Sequence, residues 1–278
     1  MYLKPKTLPE AVSLLSTSGG HILAGGTDFY PALGERLPQA DVVDISALDE
    51  IRGISLGAEW IRIGGLTTWS EVIRTPLPAC FNALKAAARE VGSVQIQNRG
   101  TVAGNLCNAS PAADGVPPLL ALDAQVELTS TAGVRRVALE QFLTGYRKTL
   151  LKPGEILAGV LVPRTMDDAA SAFLKLGARR YLVISISMVA AIVQSDTGGR
   201  VAAARVAVGS CSVTAKRLRA LEGDLVGARF AAGISRVVRP EHLAELTPID
   251  DVRASGEYRR DASLTLVQRA LEACTARN

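Results

Sequence analysis

The sequence predicts an α+β protein in two parts, and three observations carry that prediction. Helical and strand-like patterns alternate through roughly the first 50 residues, the mark of a small α/β unit. The polar tract Arg164-Thr165-Met166-Asp167-Asp168 then interrupts the later pattern. Beyond it come three successive apolar strand patterns followed only by helical ones, which predicts a three-stranded antiparallel sheet backed by helices. The expected domains are residues 1–163 and 168–275.

The elements follow in order. Thr7-Leu8-Pro9-Glu10 has the form of a capping box with Pro near the first helical position, and Ala11, Val12, Leu14 and Leu15 supply an apolar face. Residues 21–24 read as a short strand running into Gly25-Gly26, and 42–45 as another. Ile54, Leu56, Ile61 and Ile63 alternate around Gly57-Ala58, a hairpin pattern. Thr68 with Glu71 predicts a second capping box and a short helix to Ile73. Residues 81–91, rich in Ala and Leu and closed by Gly92, predict a helix. Residues 93–117 hold Gly, Asn, Ser and Pro without sustained periodicity, as functional or disordered stretches do. A short helix at 119–122 and strands at 125–129, 134–139 and 156–162 complete the first part. In the second, strands at 171–176, 181–194 and 201–209 precede helices at 215–221 and 258–274, with a further short one near 230–238.

Composition removes several function classes. The net charge is +4, and the basic residues form no long run, only short patches such as Arg179-Arg180 and Tyr258-Arg259-Arg260, so the chain lacks the footprint of a nucleic-acid binder. Aromatic residues make up 4%, too few for base-stacking platforms. Cysteines 80, 107, 211 and 274 form neither a C-x-x-C pair nor a ferredoxin-type run, and read as free thiols in a reducing compartment, with no metal site. Pro and Lys interrupt the N-terminal MYLKPKTLPEAV, which is not a signal peptide. The apolar stretch 181–193 falls short of the ~20 residues of a membrane span. A cytoplasmic protein is expected. The two histidines, His21 and His242, lack the company of a triad or a paired metal site, and no G-x-S-x-G elbow occurs. No catalytic side chain is nominated.

What remains is glycine. Leu23-Ala24-Gly25-Gly26-Thr27-Asp28-Phe29 follows a strand pattern, and Gly100-Thr101-Val102-Ala103-Gly104-Asn105 forms a second small-residue loop. Neither is a G-x-G-x-x-G or a P-loop. Read alone, each is compatible with an ordinary turn. Read together, they suit a pyrophosphate: glycines admit backbone N–H groups to an anion, and Thr27 and Thr101 add hydroxyl donors. Cys107, inside the second loop, reads as a small packing residue, since no local cation lowers its pKa.

AGGTD at 24–28, TVAGN at 101–105 and ASPAADGVPPLLALDA at 109–124 resemble the flavoprotein subunit of the molybdenum hydroxylases, the group of xanthine dehydrogenase and aerobic carbon monoxide dehydrogenase. GEILAGVLVP at 154–163, KLGARRYLVIS at 175–185 and RASGEYRRDASLTLVQRAL at 253–271 extend the resemblance in the family's order along nearly the whole chain. It implies an FAD-binding domain of the p-cresol methylhydroxylase type, made of two α/β subdomains, and a C-terminal domain like that of the carbon monoxide dehydrogenase flavoprotein. Leu23 to Phe29 and Thr101 to Asn105 are implied to clasp the FAD pyrophosphate. Asp114 matches an acid on the adenosine side, Val91, Leu157 and Ile184 match positions packing around the flavin or its tail, and Lys175 matches a basic cofactor contact.

The implied function is FAD-mediated electron transfer between [2Fe-2S] clusters of a small partner and an acceptor such as NAD, oxygen or a quinone. A large partner would carry molybdopterin, in a heterotrimer or its dimer, and FAD would be bound non-covalently. The alternative is a stand-alone FAD-dependent oxidoreductase of the same fold. Two departures stand out: Ala103 replaces a family glycine, and Tyr181-Leu182-Val183 replaces acidic positions beside the flavin. The cysteine-bearing insertion that holds an additional cluster in the benzoyl-CoA reductase flavoprotein is missing.

Overall fold

A computed structural model describes residues 1–276. The chain forms two compact units, each assembled from separate stretches. Met1–Thr75, Ser93–Ala109 and Ala124–Val162 make the first; Pro76–Gly92, Ser110–Asp123 and the chain from Pro163 onward make the second.

The first unit holds a small parallel sheet in which Tyr2–Leu3 and His21–Leu23 flank Val42–Asp44. Helix Leu8–Ser18 covers it, burying Ala11, Val12 and Leu15 among Val43, Ile45 and Leu48. Thr7 caps this helix by accepting from Glu10 N–H, but the Glu10 carboxylate takes the N–H of Lys6, so the expected box is not reciprocal. A five-stranded sheet runs in the order Ile54–Leu56, Trp60–Gly64, Ile156–Pro163, Gln125–Ser130, Gly133–Ala138. Thr68 and Glu71 do form a reciprocal box, and it starts helix Trp69–Arg74.

In the second unit the antiparallel strands Ala170–Leu176, Ser187–Ser195 and Val201–Gly209 are joined by a two-residue fourth, Lys216–Arg217. Ser187 to Val193 are all buried, so both faces of the central strand are covered. Helix Gly256–Thr275 buries Val267, Ala270, Leu271 and Cys274 in a core shared with Val189, Ala191 and Val193. Helices Asn82–Glu90 and Val116–Ala121 belong to this unit as well. Ala83 N–H donates to Ser171 Oγ at 3.0 Å, and a Cβ on Gly209 would lie 2.9 Å from Pro117 Cγ.

Several sequence expectations are corrected. The patternless tract holds the helices Val94–Gln97 and Val102–Asn108, and Val116–Ala121 begins within it. Each covers two turns or fewer, too short to display a 3.6-residue period. The strand expected over 181–194 begins only at Ser187; Tyr181, Leu182 and Ile184 are exposed, and Leu182 turns the chain at φ 53°. The helix expected at 215–221 is displaced to Arg219–Leu225, and near 230–238 there is a single 3₁₀ turn, Ile234–Val237. Arg259, within one of the basic patches, is buried and donates to Asp251 Oδ1 at 2.7 Å. Among the described residues, no helix is long and apolar enough to cross a membrane.

Candidate cofactor site

In the first unit the two glycine loops lie directly against each other. Buried Leu23 ends its strand, Ala24 to Asp28 form the loop, and Phe29 opens helix Phe29–Leu33. A Cβ on Gly25 would overlap the carbonyl oxygen of Arg99 and lie 3.2 Å from Gly100 Cα. A Cβ on Gly100 would lie 3.4 Å from Thr27 Oγ1. Glycine at position 25 is what lets the two backbones meet. Gly26 takes the left-handed conformation, φ 76°.

The second loop is fixed from beneath. Trp69 N–H donates to Gly100 O at 3.2 Å, and Val102 N–H to Thr67 O at 2.9 Å. Thr101 caps helix Val102–Asn108, its Oγ1 accepting from Gly104 N–H at 2.9 Å. Val102 and Ala103 are buried; Ala103 is not among the residues at positive φ, so its methyl group is accommodated where the family has glycine.

The donor set suits a multi-oxygen anion. Among the described residues, the N–H groups of Gly25, Gly26, Thr27 and Asp28 donate to no protein acceptor, nor do those of Thr101 and Ala103. Asn105 Oδ1 is buried without a partner. Buried polar groups ordinarily find partners, so this orphaned atom and the free N–H groups of the two abutting loops fit a phosphate-bearing cofactor such as FAD. Leu157 lies buried in strand Ile156–Pro163, its carbonyl packed against Gly65. Cys107 is half-buried, and desolvation pushes its thiol up to about 12.

In the second unit a different group gathers. Asp114 is 7% exposed; Lys175 Nζ lies 2.8 Å from its Oδ2, and Ser185 Oγ donates to its Oδ1 at 2.8 Å. Burial raises the Asp114 carboxyl above its ordinary value, against the lowering pull of Lys175 and the two hydrogen bonds. Lys175 lines a cavity of about 400 Å³ with Glu90, Phe173, Gly177, Arg179 and Val183. Val91 is half-buried just past helix Asn82–Glu90, and Ile184 is 52% exposed. Arg179 donates to Leu182 O, and Arg180 lies over the Tyr181 ring at 5.2 Å. Sequence reasoning missed Ser185: nothing local marks a serine that meets an acid 71 positions away.

The chain is similar to known proteins along most of its length. Residues 1–165 match the family described as the FAD binding domain in molybdopterin dehydrogenase, and 172–274 match the CO dehydrogenase flavoprotein C-terminal domain. The nicotinate dehydrogenase FAD-subunit of Eubacterium barkeri is 38% identical over 206 residues, 71% of this chain and 70% of that protein. The xanthine dehydrogenase FAD-binding subunit of Escherichia coli O157:H7 is 31% identical over 99% of this chain and 96% of its own length. Among solved structures, carbon monoxide dehydrogenase from Hydrogenophaga pseudoflava superposes with a TM-score of 0.89 at 28% identity, covering 99% of this chain and 97% of that one.

Fold and paired loops thus define an oxidoreductase component built to carry FAD. The chain belongs to the family of FAD-binding medium subunits of the molybdenum hydroxylases. Relatives of this chain are named as medium chains or FAD-binding subunits of dehydrogenases and hydroxylases.

Proposed function

We propose that this chain holds FAD non-covalently and passes electrons between [2Fe-2S] clusters of a small partner subunit and an external acceptor such as NAD, oxygen or a quinone. A large molybdopterin-binding partner would complete a heterotrimer or its dimer. The observation that carries the reading is the abutment of Gly25 on Arg99-Gly100, which brings two sets of unpaired N–H groups together. When bound, FAD exchanges electrons singly or in pairs, so the protein needs to supply only position and electrostatics.

The residues divide that work. Leu23, Ala24, Gly25, Gly26, Thr27, Asp28 and Phe29, with Thr101, Val102, Ala103, Gly104 and Asn105, would hold the pyrophosphate through backbone N–H groups and the two threonine hydroxyls. Buried Leu157 would offer apolar or backbone contact. In the second unit, Lys175 has an ammonium proton to spare after Asp114 and the Glu90 carbonyl. Asp114, with both oxygens engaged, would act by holding Lys175 and Ser185; Val91 and Ile184 would supply apolar surface.

The purified chain is expected to release FAD on denaturation, seen by its visible spectrum. No binding after reconstitution with FAD defeats the reading. Gly104→Val should abolish FAD retention, because a Cβ there already comes within 2.9 Å of Thr101 Oγ1. Copurification with molybdenum and iron–sulfur subunits separates this role from that of a stand-alone flavoenzyme.

A further inference from the structure

Gly26 is held in its left-handed turn by a residue that belongs to no loop motif. A Cβ built on Gly26 would lie 2.9 Å from Tyr30 Cε2 and 3.1 Å from its Cδ2, so the edge of the Tyr30 ring rests on the Gly26 Cα. Leu23 Cδ1 closes the space at 3.5 Å from the same point. The main chain adds a second tie, Tyr30 N–H to Gly26 O at 3.4 Å. Tyr30 is itself braced. Its ring meets that of Phe29 edge-on, with centroids 5.4 Å apart at 89°, and its carbonyl accepts from Gly34 N–H at 3.2 Å. Pro31 follows directly and fixes φ at the next position.

This arrangement is unusual for helix Phe29–Leu33, which buries none of its residues. Tyr30 is 60% exposed, so core formation does not explain the aromatic ring. Its close contact is Gly26, the loop residue in the left-handed conformation at φ 76°, and a left-handed residue beside a right-handed one is how an anion nest aims consecutive N–H groups to one side. A glycine turn left to itself samples many conformations, and ordering it on binding costs affinity.

We propose that Tyr30 is a positioning residue for the cofactor: its ring, braced by Phe29, clamps Gly26 in the left-handed turn and so pre-organises the loop's N–H groups for a pyrophosphate. The inference rests on the FAD reading of the two loops. Tyr30 touches the loop rather than the anion, and its hydroxyl has no part in the clamp.

The test uses the full chain stripped of FAD, titrated with FAD and, separately, with ADP, which carries the pyrophosphate without the flavin. Tyr30→Ala should weaken FAD roughly tenfold and ADP in similar proportion, through a faster off-rate, while the melting temperature of the apo-protein stays unchanged. Tyr30→Phe should bind as the parent does. A Tyr30→Ala protein that binds FAD as tightly as the parent overturns the inference, as does a loss for FAD that spares ADP or a Tyr30→Phe variant as weak as Tyr30→Ala. Gly104→Val separates the layers. FAD retained in that variant counts against the whole clamp; FAD lost there but held normally by Tyr30→Ala removes only the role of Tyr30.

Discussion

Lys175 Nζ stands 2.8 Å from Asp114 Oδ2, with both side chains less than a tenth exposed. A buried ion pair is costly to form and costlier to break, because either partner left alone is an uncompensated charge. Lys175→Met or Asp114→Asn alone should therefore destabilise the protein by about 3–5 kcal/mol, and the double variant by clearly less than the sum. Urea unfolding of the four proteins checks this; strict additivity would mean the pair is not coupled.

Gly25→Ala is the sharpest probe of the paired loops. The added methyl would overlap the Arg99 carbonyl, so the loops must part. FAD retention should fall by an order of magnitude or more, roughly the effect of losing one or two charge-assisted hydrogen bonds. Flavin content per chain after gel filtration reports it.

Thr68→Ala removes the cap of helix Trp69–Arg74, whose first residue holds Gly100 through its N–H. The expected cost is about 1 kcal/mol. Calorimetry gives the stability change, and FAD titration shows whether loosening this support also reaches the second loop.

Burial pushes the thiols of Cys80 and Cys107 up to about 12. Near pH 8 both should resist alkylation in the folded protein and react on addition of denaturant. Mass-spectrometric mapping after a timed iodoacetamide pulse decides; rapid native labelling of Cys107 would contradict its packing role.

Partial burial works to raise the Asp251 carboxyl, but the Arg253 N–H and the guanidinium groups of Arg259 and Arg253 outweigh it and bring it down to about 2. A carboxyl depressed in the folded state stabilises above its unfolded value near ~3.9 and loses that contribution as pH falls toward the folded one. Asp251→Asn should flatten stability between about pH 4 and pH 2 relative to the parent, and the two curves should converge below that window. Unfolding at stepped pH measures it.

Much was legible in the sequence because it depends on local chemistry. The Thr68–Glu71 box, the hairpins, the long C-terminal helix and the polar break before Ala170 follow from capping groups, alternation and glycine positions. The tract 93–117 was not legible, since its helices are too brief to show a period and its prolines and glycines resemble loop residues. Tyr181 to Ile184 has the composition of a strand, but Leu182 turns there and the segment stays outside the sheet.

Sequence alone determined that two glycine loops exist and what they can do, because backbone access to an anion needs only the absence of a Cβ. Family resemblance supplied FAD as the ligand. Tertiary structure decided what meets what. It set Gly25 on Arg99, the Tyr30 ring on Gly26, and Lys175 and Ser185 on Asp114, and it took helices Asn82–Glu90 and Val116–Ala121 into the second unit. These contacts join residues far apart in the chain or turn on one side chain's rotamer. Packing fixes both, and no local pattern encodes them.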